Sequence, residues 1–281
     1  MNDNYSYQFG KKVYDLSSRT FVMGVLNVTP DSFSDGGKYL KPEDAIAHAK
    51  LVESEGADFI DVGGQSTRPG SEEISLDEEF SRVIPVIKSL AIEVKIPISI
   101  DTYRSEVADE ALKHGALIVN DISGFNFDKN MAPTIAKHKA SAIVMHIKGT
   151  PKDMQVNPQY SDLMGELIQY FENAAWKANV AGIKQIIIDP GIGFGKTVEH
   201  NLKILKHLNE LKRLDSPIMV GISRKSMIGK ITNTDDVNDR LEGTVALNSV
   251  AVLNGAHIIR VHDVKAGVRT ARILDAYRNV D

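Results

Sequence analysis

Apolar and polar positions along the chain follow a repeated two-part pattern: a short apolar run rich in β-branched residues, then a longer stretch with apolar positions at helical spacing. The runs lie at 21–26, 58–62, 98–100, 117–119, 142–145, 186–188, 218–221 and 257–261. They recur about every 34 residues, the size of one βα unit. Residues such as Ile186, Ile187 and Ile188 read as a strand buried on both faces, stopped by Pro190 and Gly191. Ala45, Ile46, Ala49 and Val52, and then Phe80, Val83, Ile84 and Ile87, fit the i, i+3, i+4 spacing of helices that cover a sheet. Pro42, Glu43 and Asp44 open the first of these helices. Eight parallel strands with right-handed crossovers and no sign of a reversal in strand order predict a closed (β/α)8 barrel. An open doubly wound sheet is the alternative. Before the repeat, residues 1–20 alternate weakly around Gly10, Lys11 and Lys12, which predicts a small hairpin covering one end of the core. The expected division is thus a hairpin over 1–20 and one barrel over 21–281.

Composition narrows the function classes. With 281 residues and 42% hydrophobic content, the chain can bury a large core, and its net charge of −4 argues against a nucleic-acid groove. The first 20 residues carry Asp3, Lys11, Lys12, Asp15 and Arg19 without an apolar core segment. Neither a signal peptide nor a membrane span is expected, and the expected location is the cytoplasm. The absence of cysteine removes disulfides, thiolate metal sites and a cysteine nucleophile.

In a (β/α)8 barrel the chemistry gathers at the C-terminal ends of the strands. There the sequence places, in order, Asn27; Asp61 followed by Gly63 to Gly70; Asp101; Asn120 and Asp121; Met145 and His146; Asp189; Ser223 to Ser226; and Arg260, His262 and Asp263. One polar strand end is explained by a helix cap, as Asp189 alone would be, but eight are not. Asp101, Asn120 and Asp189 supply acceptors suited to a flat heterocycle with an amino group beside a ring N–H. A hard-metal site or an acid/base carboxylate pair competes with that reading. Neither explains the second group, Arg68, Lys225, Arg260 and His262, which reads as a set of cations cradling an anion. For any one of these, an ordinary surface ion pair is the competing account. Asn27 could add an amide oxygen to a Mg²⁺ shared with phosphates. Gly191, Gly193 and Gly195 let the backbone approach whatever Asp189 holds, but match no nucleotide-binding fingerprint.

Taken together, Met23 to Gly37, Gly63 to Gly70 with Thr67, Arg68 and Pro69, Ile100-Asp101-Thr102, Asn120 to Gly124, Met145-His146, Asp189 to Gly195, Ser223-Arg224-Lys225-Ser226 and Arg260 to Asp263 resemble the motifs of the dihydropteroate synthase family, in the family's order. One departure is Gln65, where that family usually carries glutamate. The resemblance implies a single TIM barrel that condenses 6-hydroxymethyl-7,8-dihydropterin diphosphate with p-aminobenzoate. It implies pterin contacts from Asp101, Asn120, Met145, Asp189 and Lys225, and diphosphate contacts from Asn27, Arg68, Arg260 and His262. Asn27 would also meet Mg²⁺, and p-aminobenzoate would lie among Phe33, Thr67, Pro69, Phe194 and Ser226. Arg260, Lys225, Asp101 and Asp189 would carry catalysis. The expected partners are these small-molecule substrates and a second copy of the chain, in a homodimer through the late helices around 240–253 and 266–277, with neither nucleic acid nor membrane. No side-chain nucleophile is required, because the arylamine attacks. The expected reaction is a dissociative substitution with the pterin bound first, eased by cations and Mg²⁺ around the departing diphosphate. Two rivals share the acceptor logic: a barrel that passes a methyl group from a folate to a corrinoid protein, and a paralogue that binds pterin without converting it.

Overall fold

The structure is a computed structural model that describes residues 5–29, 42–68 and 70–280. It opens with an antiparallel hairpin, β1 (Ser6–Phe9) and β2 (Lys12–Asp15), turning through Gly10 in the left-handed region. Eight parallel strands follow: β3 (Phe21–Asn27), β4 (Phe59–Gly63), β5 (Ile98–Asp101), β6 (Ile118–Asp121), β7 (Ser141–Met145), β8 (Ile186–Asp189), β9 (Met219–Val220) and β10 (Ile258–Val261). They pair in the order β8-β7-β6-β5-β4-β3-β10-β9. The bridge Ile188↔Ile218 and the Ile188 N–H to Pro217 carbonyl bond of 3.0 Å join the two ends, so the sheet closes into a barrel. The strand positions agree with the apolar runs to within a residue or two.

Helices line the outside. Among them are α1 (Pro42–Ser54), α2 (Leu76–Glu93), α3 (Ser105–Lys113), α4 (Met131–Lys137), α5 (Leu163–Ala181), α6 (Val198–Lys206), α7 (Ser226–Thr232), α8 (Leu241–Leu253) and α9 (Val264–Arg278). Their starts follow local chemistry: Ser75 accepts the Glu78 N–H at the head of α2, and Thr197 and His200 form a reciprocal cap on α6. The expected faces are the buried ones, with Ala45, Ala49, Val52, Val83, Ile84 and Ile87 in the shell between helices and strands.

Alternation along each strand divides the lumen into two levels. Phe21, Met23, Phe59, Ile118, Ile143, Ile187, Met219 and Ile258 fill the lower level, and Tyr5, Tyr7, Phe9 and Leu16 of the N-terminal segment close it from below. Phe59 stands edge-on to Phe9 at 5.3 Å between ring centroids, and the Tyr7 hydroxyl donates to the Ile186 carbonyl at 2.6 Å. Two residues further along, β4, β6, β8 and β10 turn Asp61, Asn120, Asp189 and Arg260 inward at the upper level.

Candidate active site

The upper mouth holds a cleft lined by Thr67, Asp101, Asn120, Met145, Asp189, Phe194, Ser223, Lys225, Arg260 and His262, with glycine and isoleucine positions between them. Register explains why these groups meet. Asp101 pairs in the sheet with Asn120, and Met145 with Asp189, so neighbouring strands deliver their last inward side chains at one height. The acceptors occupy the arc from β4 to β8 and the cations the arc around β9 and β10.

Across the lumen the two arcs touch. Arg260 donates from Nε to Asp61 Oδ2 at 2.7 Å and from Nη2 to Asp101 Oδ2 at 2.9 Å. Asn120 donates its amide N–H to the same Asp61 oxygen at 2.9 Å. The expectation of cations standing opposite the acceptors therefore changes: Arg260 is held within the acid cluster, where its remaining N–H donors are free for an anion. Asp61 is the residue whose weight the sequence reading missed. It is fully buried, and it fixes both the guanidinium of Arg260 and the amide of Asn120, so that the Asn120 carbonyl is available to a ligand donor. Its position at the end of an apolar strand was a signal, but its partners lie 59 and 199 residues away.

Electrostatics follow from this crowding. Burial pushes the Asp101 carboxyl up to about 7, against the lowering pull of Arg260. Asp189 is also raised by burial, although it accepts the Gly191 N–H at 2.7 Å and faces Lys225. Burial brings the Lys225 ammonium down to about 8, opposed by Asp189. That ammonium stands 4.0 Å from the centre of the Phe194 ring, a cation–π contact. His262 departs from expectation. Burial first, then Arg260 and Arg224, drive its pKa down to about 3, so it is neutral near pH 7 and is no member of the cation set. Ser223 Oγ accepts the His262 backbone N–H at 3.2 Å and lies 3.1 Å from its Nδ1. In the tautomer in which Ser223 donates to Nδ1, Nε2–H is left as a donor.

Two loops give the cleft its shape. Arg224, at φ +58°, grips Asp263 with two bonds of 2.6 and 2.9 Å and presents Lys225. After β8, Lys196 is buried and reaches four acceptors: His146 Nδ1 at 2.8 Å and the carbonyls of Phe194, Gly191 and His146 at 2.9, 3.0 and 3.3 Å. This clamp seats the loop that carries Phe194 on the end of β7, and it takes His146 out of the cleft wall. The glycines also serve that seating. A Cβ on Gly191 would lie 2.0 Å from the His146 carbonyl and one on Gly195 2.4 Å from that of Lys148, so they admit a neighbouring loop, and Gly193 packs on the stem of Lys225.

Of the sequence-predicted residues, Asp101, Asn120, Met145, Asp189, Lys225, Arg260, His262, Thr67 and Phe194 converge on the cleft. Arg68 and Ser226 are exposed and lie off its wall. Asn27 stands at the end of β3, beside Gly63. Phe33 and Pro69 lie outside the described residues. Among the described residues, no three His, Asp or Glu side chains gather to hold a metal ion. The arrangement can grip a planar ring by its hydrogen-bonding edge while offering Arg260, Lys225 and His262 donors to an adjoining anion.

The profile of the family described as pterin binding enzyme matches residues 23–262. A dihydropteroate synthase of Synechocystis sp. is 51% identical over 269 residues, covering 95% of this chain and 93% of that protein. The dihydropteroate synthase of Yersinia pestis, solved with a sulfonamide drug complex, superimposes with a TM-score of 0.93 at 42% identity, covering 98% of this chain and 100% of the other. That of Xanthomonas albilineans, solved with 4-aminobenzoic acid, gives 0.92 at 37% identity, with 99% and 100% covered.

Proposed function

This chain belongs to the pterin-binding enzyme family, and from that premise we propose how its cleft carries out dihydropteroate synthesis. The reaction joins 6-hydroxymethyl-7,8-dihydropterin diphosphate to p-aminobenzoate, giving 7,8-dihydropteroate and diphosphate. It is a transfer of the pterin-methyl group onto an arylamine. The observation that carries the assignment of roles is the convergence of Asp101, Asn120, Asp189 and Lys225 with Arg260 and His262 in one cleft.

In this reading Asp101 and Asp189 accept the amino and ring N–H hydrogens of the pterin. Asn120, its amide turned by Asp61, accepts a further hydrogen, Met145 packs on the ring, and Lys225 donates to the pterin edge. The free N–H groups of Arg260 and the Nε2–H of His262 meet the diphosphate. As the bond from the pterin methylene to the diphosphate oxygen breaks, these fixed donors stabilise charge on the departing group, and the electron-rich ring shares the positive charge left on carbon. The neutral amine of p-aminobenzoate attacks that carbon and then loses a proton. Thr67 and Phe194 form the part of the arylamine wall that lines the cleft, to which the proposal adds Phe33, Pro69 and Ser226. A sulfonamide that copies the arylamine would compete there. Arg68 joins the diphosphate site only if its loop moves inward.

The residues present fit Mg²⁺ in one limited way. Asp101 and Asp189 in the cleft, with Asp61 buried beneath it, outnumber Arg260 and Lys225, so an incoming diphosphate gains from an added divalent cation. Asn27 offers that ion one protein oxygen, in keeping with a site completed by phosphates and water. When bound, the ion would neutralise charge on the leaving group. A homodimer through α8 and α9 is part of the proposal, supported by the exposed Val250, Leu253, Ile273 and Tyr277 on those helices. A cytoplasmic location, where the charged, water-soluble substrates would be met, completes it. The test is release of diphosphate on mixing the protein with both substrates. Release that requires both is expected. Methyl transfer without diphosphate release, or pterin binding without turnover, would reject the reading in favour of its rivals.

A further inference from the structure

The loop from β4 to α2 carries Thr67 to the cleft, and both of its shoulders end on one atom outside it. Gln65 donates from Nε2 to the Tyr103 hydroxyl at 2.7 Å, and that hydroxyl donates to Glu73 Oε1 at 3.0 Å. Residues 65 and 73 are thereby drawn together on a single phenolic oxygen two positions beyond Asp101. A hydroxyl has one hydrogen to give. Glu73 as a carboxylate only accepts, so the Tyr103 proton goes to it, and the group facing Tyr103 from residue 65 must be a donor. Glutamine meets that requirement and glutamate does not.

The anchor itself is firm. Arg104 bonds Glu73 at 2.9 Å, the Ile74 carbonyl at 2.6 Å and the buried Glu79 at 2.9 Å, and Glu79 accepts the Thr102 hydroxyl at 2.7 Å. The Tyr103 ring stands edge-on to Phe127 with centroids 5.5 Å apart. Inside the loop, Ser71 Oγ donates to the Ser66 carbonyl at 2.7 Å, and the Gly70 N–H reaches the Pro151 carbonyl at 3.0 Å. Burial pushes the Tyr103 phenol up to about 12, so it keeps its proton at working pH.

We propose that Tyr103 is a positioning residue, whose hydroxyl joins Gln65 to Glu73 and so holds Thr67 in place as a wall of the arylamine site. The inference rests on the reading that Thr67 faces p-aminobenzoate. Tyr103→Phe keeps the ring packing and removes the joint, and Gln65→Glu removes the donor while keeping the chain length. Hydrogen exchange is measured on the substrate-free, full-length protein, and steady-state kinetics on the same preparations. Both variants are expected to exchange the amides of 65–73 faster by about fivefold, as the loss of one hydrogen bond implies. The KM for p-aminobenzoate should rise by about the same factor, with kcat and the KM for the dihydropterin substrate within about twofold and melting unchanged. Unchanged exchange in Tyr103→Phe would overturn the proposal whatever the kinetics. Faster exchange with an unmoved KM would instead overturn the assignment of Thr67 to the arylamine.

Discussion

The floor and the mouth of the barrel are built from the same strands two residues apart, yet they are opposite in kind. β4 gives Phe59 below and Asp61 above, β6 Ile118 and Asn120, β8 Ile187 and Asp189, β10 Ile258 and Arg260. Below, aromatic and aliphatic side chains interlock over the N-terminal hairpin. Above, three carboxylates and two cations are confined where burial raises Asp101 and Asp189 and lowers Lys225. The contrast therefore assigns stability to one level and ligand chemistry to the other, and substitutions at the two should separate cleanly.

The largest effect on folding should come from the floor. Phe59→Ala is expected to lower unfolding free energy by about 3–5 kcal/mol, as for other buried phenylalanines, while any enzyme still folded keeps its pterin affinity. Denaturant unfolding beside calorimetry checks this. At the mouth the pattern should invert: Arg260→Ala is expected to cut kcat by about 100- to 1,000-fold, since it removes a donor aimed at developing charge, with melting shifted far less than in Phe59→Ala. A mutant with near-normal turnover would take Arg260 out of the mechanism.

A finer probe is pH. On the proposed roles, binding of the pterin requires Asp101 ionised and Lys225 protonated. Since the free carboxyl sits near 7, binding at lower pH must first expel a proton, and affinity should rise as pH climbs through about 7. It should fall again as Lys225 loses its proton above about 8. These limbs belong to the coupled group rather than to either residue alone. Pterin titrations across this range should show the bell, and Asp101→Asn should abolish its acid limb. The smallest effect should be Tyr7→Phe in the floor, which loses one hydrogen bond to Ile186 and about 1 kcal/mol of stability, with unchanged kinetics.

The two levels also differ in how far the sequence discloses them. Strands such as 186–188 are legible because a strand buried on both faces must be apolar, and Pro190 with Gly191 must end it. The polar strand ends are legible because a closed barrel points them one way. Contacts across the lumen are not, since only closure brings Asp61 to Arg260 from opposite ends of the chain. Nor is a charge state legible: His262 counts as a cation by residue type and becomes neutral through burial and its arginine neighbours. The glycines of 191–195 promise backbone freedom near a ligand, while the space at Gly191 and Gly195 is filled by the loop after β7 and that at Gly193 by the stem of Lys225. Lys196 ends that run as an unremarked lysine, and its four partners exist only once both loops are seated.

Asp101→Asn tests the division of labour most directly, because it keeps shape and removes one charge at the mouth. Calorimetry with the dihydropterin substrate and thermal melting should be run on one preparation. Pterin affinity is expected to fall by about 100-fold, the weight of charged hydrogen bonds to the ring, with melting held or raised. Unchanged affinity, or a protein that unfolds in step with its loss of binding, would contradict the account.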